Sequence, residues 1–313
     1  MGQHAWPFRF GVQCRTVHDG PGWLDLARRV ERHGWDTLVL PDHFTEQLGP
    51  IAALAAAAAV TERLRLGTVV LDNDFRHPVA LAKELATIDQ ISGGRLEIGI
   101  GAGWMTTDYD TSGIAYEPPG TRIDRLVEAL EVLDGLFASD PVTHEGTHYT
   151  VRNQLGRPEP VQRPHPPYLL GGGGPRMLTL AARRADIVGI NPSLHEGRPG
   201  PEAIAQFAAE HVDAKVALVR AASAERSDQP ELNVLVQGVD VVEDRAATAR
   251  GYAELFGVDH QLVLDSPYLW IGTVDQIIDD LVRWRERWGI SYWIVSDQHA
   301  EVLTPVMAAL AGR

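Results

Sequence analysis

Several short stretches carry residue types that could do chemistry, and most of them end an apolar run. In TLVLPDHF the run stops on Asp42 and His43, a carboxylate beside an imidazole. Histidine is the side chain best suited to exchange protons near neutral pH. In LLGGGGPR, Gly171, Gly172, Gly173 and Gly174 lead into a proline-opened segment. A strand, a glycine run and a helix N-terminus together favour an anion such as phosphate; the plainer reading is a tight turn that needs positive φ. In GIGAGW, Gly101 and Ala102 precede Trp104, so a flat group can approach the backbone beside an aromatic wall, unless this is a plain loop with a core tryptophan. In VVLDNDF, the triplet Asp72, Asn73 and Asp74 reads as a helix-capping loop rather than a hard-cation site. THEGTH fits the H-E-x-x-H zinc pattern in letters, but that pattern needs a helix to bring His144 and His148 to one face. Asp140-Pro141 before it, Gly146 inside it and HYTV after it predict a hairpin instead, and no metal is expected.

The elements that must position these groups alternate. The patterning predicts strands over Phe8–Gln13, Thr37–Leu40, Leu64–Leu71, Arg95–Gly101, Pro167–Gly171, Asp186–Ile190, Leu232–Val242 and Ser291–Val295. Helices are predicted near Pro50–Val60 and over Pro78–Ile91, Arg122–Phe137, Pro175–Arg184, Pro201–Ala222, Arg245–Phe256 and Val274–Trp288, with one more in GWLDLARRVERHG. Short continuous apolar strands separated by helices imply parallel pairing with both faces covered. The expectation is an α/β chain, a (β/α)8 TIM barrel with insertion loops at its C-terminal face. It is read as one domain over residues 1–313. In that fold, loops after strands lie on the active face, so the ends of strands two to five converge where barrel chemistry occurs. A doubly wound open sheet is the rival, but no G-x-G-x-x-G with a spaced acidic residue is present. Trp104–Thr121, Asp140–Pro166 and Asn191–Gly200 read as inserted loops.

Composition narrows the partners. A net charge of −14 makes a phosphate-tracking nucleic-acid binder a poor fit. The most apolar run, Ile51–Val60, is too short to span a bilayer. Cys14 is the single cysteine, which forbids an internal disulfide, and MGQHAWPFRF lacks the long apolar core of an export signal. A cytoplasmic enzyme without membrane or nucleic-acid partners is expected.

Four stretches together resemble the bacterial-luciferase-like superfamily, in particular its deazaflavin (coenzyme F420) dependent oxidoreductases. They are GWDTLVLPDHF, LRLGTVVLDNDFRHPVALAKELATIDQISGGRLEIGIGAGW, GIAYEPPGTRIDRLVEALEVL and PYLLGGGGPRMLTLAARRADIVGIN, and the likeness runs from about Phe8 to Val295. It implies a barrel with an insertion after strand four and a flavin-like cofactor across its mouth. It also implies a non-prolyl cis bond between Val69 and Val70 that backs the cofactor ring. Asp42 matches a ring contact and His43 the histidine at the reacting face; Asp72 and Ala102 match ring or chain contacts, and Thr107 a position near the cofactor. Gly171 to Gly174 match the residues that hold its phosphate. Glucose-6-phosphate dehydrogenases of this family carry glutamate at the position of Trp104 and tryptophan at that of Gln47. A sugar phosphate is therefore not the expected substrate, and Trp104 with Phe44 points to a more apolar pocket.

The reading that follows is hydride transfer between coenzyme F420 and a small, fairly apolar organic substrate. His43 serves as acid or base, and Asp42 orients His43 or binds the ring. An FMN-dependent monooxygenase, fed with reduced FMN by a partner flavin reductase and using oxygen, is the alternative. A non-catalytic flavin-binding protein is the second. The resemblance also implies a homodimer, with apolar helix surfaces such as Ala52–Ala59 as candidates.

Overall fold

The structure, a computed structural model, describes residues 6–16, 18–194 and 200–313. The opening MGQHA, and residues 195–199 of the Asn191–Gly200 stretch, lie outside the described residues. Contacts gather the chain into two compact units. One holds the chain up to Gln13, His33–Asp36 and Leu170–Arg313; the other holds Cys14–Arg32 and Thr37–Leu169.

Eight strands follow the predicted order: β1 (Arg9–Gln13), β2 (Thr37–Leu40), β3 (Arg65–Thr68), β4 (Leu96–Gly101), β5 (Tyr168–Gly172), β6 (Ile187–Ile190), β7 (Glu231–Leu235) and β8 (Ile290–Ser296). In the second unit β2, β3, β4 and the start of β5 pair in parallel, with Leu38 opposite Leu66, Leu66 opposite Leu96 and Ile98 opposite Tyr168. Every residue of β2 and β4 is buried, as strands covered on both faces must be. The helices Pro50–Ala58, Pro78–Ser92 and Pro119–Phe137 each open on a proline, where the missing N–H costs nothing. In the first unit β1 pairs with β8, β8 with β7 and β7 with β6, all parallel. Trp293 of β8 packs against Trp270 and Trp284, each with ring centroids 5.7 Å away, and all three are buried.

The third and seventh strands differ from the sequence reading. The run Leu64–Leu71 does not form one strand: β3 ends at Thr68, the Val69–Val70 bond is cis, and Leu71–Asp72 resumes pairing opposite Ile100 and Gly101. The run Leu232–Val242 divides at Val236–Gln237. β7 stays beside β8, while Gly238–Val241 pairs with Leu269–Gly272 in a separate two-stranded sheet. In both runs apolar residues continue on either side of the break, so the pattern reads as one strand. Pro201–Ala222 is likewise two helices, Pro201–Ala205 and Ala209–Ala222. The sequence reading missed short helices at Thr106–Ser112, His260–Asp265 and Thr304–Leu310.

THEGTH forms the expected hairpin. Val142–Glu145 runs antiparallel to Thr150–Gln154, and the Glu128 carboxylate accepts the backbone N–H groups of Thr147, His148 and Tyr149 at 2.9, 2.8 and 3.1 Å. His144 lies 3.6 Å from the same carboxylate. No described helix is long and apolar enough to cross a membrane.

Glycines in β3 and β4 record how close these strands come. A Cβ on Gly99 would overlap the Thr68 carbonyl oxygen, and one on Gly101 would sit 2.9 Å from Val70 Cγ2. Backbone cannot yield as a flexible side chain can, so Gly99→Ala is expected to cost about 1–3 kcal/mol or more. Gly251 sits exposed in the helix Arg245–Phe256 with nothing near its missing Cβ. Gly251→Ala should gain about 0.5–1 kcal/mol. Urea midpoints of the two variants, moving in opposite directions from the parent, check both.

Candidate functional site

The C-terminal ends of β2, β3 and β4 and the helix Thr106–Ser112, all in the second unit, bring most of the predicted residues together. β2 ends at Pro41, which has no N–H to extend a ladder. Asp42 follows, 5% exposed, and a buried carboxylate needs partners. Its Oδ2 accepts from Arg76 Nη1 at 2.5 Å and from the Asp72 N–H at 3.1 Å, and its Oδ1 accepts from Arg76 Nη2 at 3.1 Å. The two-pronged guanidinium grip is the strong form of this pair. Asp42 therefore does not orient His43.

That task falls to Asp108, which the sequence reading did not single out. His43 Nδ1 lies 2.7 Å from Asp108 Oδ2, and Asp108 Oδ1 accepts the Phe44 N–H at 3.0 Å. The Asp108 side chain is 4% exposed and that of His43 20%. A carboxylate on Nδ1 fixes the proton there and leaves Nε2 as the exchanging atom. Trp104 stands edge-on to the imidazole with centroids 5.6 Å apart, and Gln47 donates from Nε2 to the His43 carbonyl at 3.0 Å. Phe44 is exposed and packs on Phe75 at 4.4 Å.

A second network starts at Asp72. Its Oδ1 caps the short turn Asn73–Phe75 by accepting the Asp74 N–H at 2.9 Å, as the capping-loop reading expects. Its Oδ2 lies 2.9 Å from the Tyr109 hydroxyl, and the same hydroxyl lies 3.1 Å from Asp74 Oδ2. Arg125 Nη1 donates to Asp74 Oδ1 at 2.8 Å. Burial pushes the Asp72 carboxyl up to about 7, with the charges of Asp74 and Asp42 adding to it against its contacts with the Asp74 N–H and the Tyr109 hydroxyl. Burial, then the two carboxylates, drives the Tyr109 phenol far above its usual range. Gly103, at φ 74°, closes this space: a Cβ there would overlap the Tyr109 hydroxyl and lie 2.5 Å from Asp72 Oδ2. Arg122, 4% exposed, donates to the carbonyls of Ala102, Gly103 and Glu117 and covers the Tyr116 ring at 4.2 Å. Asn73 Oδ1 is buried with no hydrogen-bond partner among the described residues. Thr107 is exposed on the short helix.

The structure changes the reason for the glycines in GIGAGW. Gly99 and Gly101 admit the protein's own Thr68 carbonyl and Val70 side chain.

In the first unit, Gly171 to Gly174 link β5 to the helix Pro175–Arg184. None of the four has positive φ, so left-handed backbone does not explain them. Close approach explains three: a Cβ on Gly171 would lie 2.8 Å from Asn191 Nδ2, one on Gly172 2.7 Å from Met177 Cγ, and one on Gly173 on the Ser193 nitrogen. Gly174 faces open space, and no side chain caps the helix it begins. Lys215, also missed in the sequence reading, is 8% exposed behind this turn. It donates to the Asn191 carbonyl at 2.8 Å and to Gln206 Oε1 at 3.0 Å, and burial lowers its pKa to about 8. Neither Lys215 nor Asp108 belongs to a motif; only an inward-facing position on its helix could have flagged it.

The luciferase-like monooxygenase family matches residues 8–292. An F420-dependent glucose-6-phosphate dehydrogenase of Microbacterium testaceum is 33% identical over 189 residues, 58% of this chain and 55% of the relative. An FMNH2-dependent dimethylsulfone monooxygenase of Pseudomonas putida is 29% identical over 192 residues, 59% of this chain and 53% of the relative. The matched region thus spans little more than half of either relative. Among solved structures, the coenzyme F420-dependent tetrahydromethanopterin reductase of Methanopyrus kandleri superposes with a TM-score of 0.76 at 20% identity, covering 97% of this chain and 100% of that one. That likeness shows the fold, an α/β (β/α)8 TIM barrel, as the strand–helix alternation predicts.

Asp72 gives a signed expectation for stability. Its carboxyl titrates near 4 when unfolded and about 7 when folded. Between those values the folded chain holds a proton that the unfolded chain has lost, so this contribution is full below the window and declines as pH rises through it. The slope approaches about 1.4 kcal/mol per pH unit and flattens above the folded value. Asp72→Asn removes the decline. Denaturant unfolding across mildly acidic to mildly alkaline pH should show the parent losing stability relative to the variant.

Proposed function

Because the chain belongs to the luciferase-like monooxygenase family, we propose that it is an oxidoreductase that moves a hydride between coenzyme F420 and a small, fairly apolar organic substrate. The observation that carries this reading is the His43–Asp108 pair: an imidazole held at Nδ1 by a buried carboxylate, with Nε2 free of any described hydrogen-bond partner. A protein that only held a flavin would not need such a pair. The deazaflavin, when bound, would supply the hydride when the substrate is reduced and accept it when the substrate is oxidised.

The residues present fit such a cofactor. An uncapped helix N-terminus beside Gly174 suits a phosphate. The unpartnered Asn73 Oδ1 suits a ring N–H. In the second unit, Asp42, Val69, Val70, Asp72, Gly101 and Ala102 are proposed for the ring system and Thr107 for its neighbourhood; in the first unit, Gly171 to Gly174 are proposed for a phosphate. Asp42, neutralised by Arg76, offers that ring a fixed acceptor.

At the reacting face, His43 Nε2 gives the proton when the substrate is reduced and takes it when the substrate is oxidised. Asp108 stabilises the charged imidazolium in either direction and keeps the ring from turning. Trp104 and Phe44 present apolar surface for the substrate, and Gln47 holds the backbone of His43. The F420-dependent relative supports the deazaflavin. The FMNH2-dependent one keeps open a reading with FMN, oxygen and a flavin reductase. A second copy of the chain is the proposed protein partner, and the cytoplasm the proposed setting.

Fluorescence titration with oxidised deazaflavin and, separately, with FMN tests the cofactor. Tight deazaflavin and weak FMN binding is expected; the reverse selects the monooxygenase. His43→Ala should keep cofactor affinity and lower kcat by about 10²–10⁴-fold. Asp108→Asn, which offers Nδ1 a weaker partner, should lower kcat by at least about tenfold with little change in KM. Turnover that survives His43→Ala with a minor loss would remove His43 from the chemistry.

A further inference from the structure

One phenolic hydroxyl stands between two buried carboxyl groups. Tyr109 Oη is 2.9 Å from Asp72 Oδ2 and 3.1 Å from Asp74 Oδ2, and it has a single proton to give. If both carboxyls were ionised, one short contact would set lone pair against lone pair. The surroundings decide which carboxyl is the anion. Asp74 has Arg125 on its other oxygen at 2.8 Å, and its side chain is 1% exposed. Among the described residues no guanidinium pairs with Asp72. Its other oxygen takes only the Asp74 N–H, and its backbone N–H points to a further carboxylate, Asp42.

We propose that Asp72 is kept as a neutral carboxylic acid by a directional chain: Asp72 donates to Tyr109, Tyr109 donates to Asp74, and Asp74 also accepts from Arg125. The other charged groups around it are already matched or turned elsewhere. Arg76 is occupied by Asp42, Asp108 by His43, and Arg122, 5.9 Å from the centre of the Tyr109 ring, by backbone carbonyls. A position this deeply buried favours the neutral form for the same reason.

The consequence rests on the proposed function. Asp72 is then a positioning residue that holds its proton so that the ring end of the site carries one neutralised pair, Asp42 with Arg76, and no second anion. Ionisation of Asp72 would set an unmatched negative charge beside an electron-rich ring. Cofactor affinity should therefore weaken as pH rises through neutrality.

Difference infrared spectroscopy on the full chain without added cofactor reads the proton directly. A carboxylic-acid C=O stretch is expected below neutrality, lost above it, and absent in Asp72→Asn. In Asp74→Asn the amide N–H₂ can donate to Tyr109, whose proton then turns to Asp72; the titration midpoint should fall by about one pH unit or more. Deazaflavin affinity should decline with rising pH in the parent and stay flat in Asp72→Asn. An acid band that Asp72→Asn leaves intact, a midpoint unmoved in Asp74→Asn, or the same pH dependence of affinity in parent and Asp72→Asn would each overturn the proposal. Should Asp72→Asn fail to fold, the Asp74→Asn midpoint decides alone. Failure to bind either flavin would sink the functional reading and leave the infrared result standing.

Discussion

The arrangement at the ends of β2, β3 and β4 hangs from one buried carboxylate. Asp42 cannot stay ionised away from water without partners. Its solution is Arg76 on both oxygens and the Asp72 N–H on one. That bond fixes where the chain goes after the Val69–Val70 bulge and so where the Asp72 side chain lies. Asp72 fixes Tyr109, and Tyr109 fixes the short helix Thr106–Ser112. The same helix delivers Asp108 to His43, the residue next to Asp42. The path closes on itself, so the imidazole is positioned by a circuit of hydrogen bonds rather than by its own strand alone.

Packing makes the circuit possible. β3 and β4 approach so closely that Gly99 and Gly101 have no room for side chains, and Gly103 leaves its space to the Tyr109 hydroxyl. Small residues at these positions set where the polar groups stop. The aromatic side of the same region, Phe44 on Phe75, Phe75 on Tyr109 and Tyr109 on Tyr116, packs beside the network. Low local dielectric strengthens each bond in the circuit and raises the cost of any charge left unmatched. Two guanidinium–carboxylate pairs, one imidazole–carboxylate pair and one carboxyl with no cation of its own share this environment.

The helix N-terminus after Gly174 is built on the same steric logic. Its glycines exist because neighbouring backbone and side chains occupy their Cβ positions, and the last of them leaves the amide end of the helix open. Lys215 supports the facing segment through Asn191 and Gln206 with a charge that burial makes easier to lose.

Much of this was legible in the sequence, for a physical reason. Alternating apolar runs and helical periods report burial along the chain, so the helices Pro175–Arg184, Arg245–Phe256 and Val274–Trp288 and the order of the eight strands followed from period alone. The hairpin at THEGTH followed from glycine and proline placement. Asp42, His43 and the glycine run stood out because they interrupt that pattern at strand ends. Where a strand-like run breaks was not legible, as at Val69–Val70 and Val236–Gln237, because apolar residues continue on both sides of each break. Nor were the partners legible. Asp108 lies 65 positions from His43, and Arg76 34 from Asp42. Which carboxylate meets which base depends on how strands and helices pack in three dimensions. The sequence by itself determined the alternation, the barrel class and the strand ends where chemistry belongs. Only the tertiary structure decided that Asp108 rather than Asp42 holds the imidazole, and that Tyr109 stands between two acids with one proton to give.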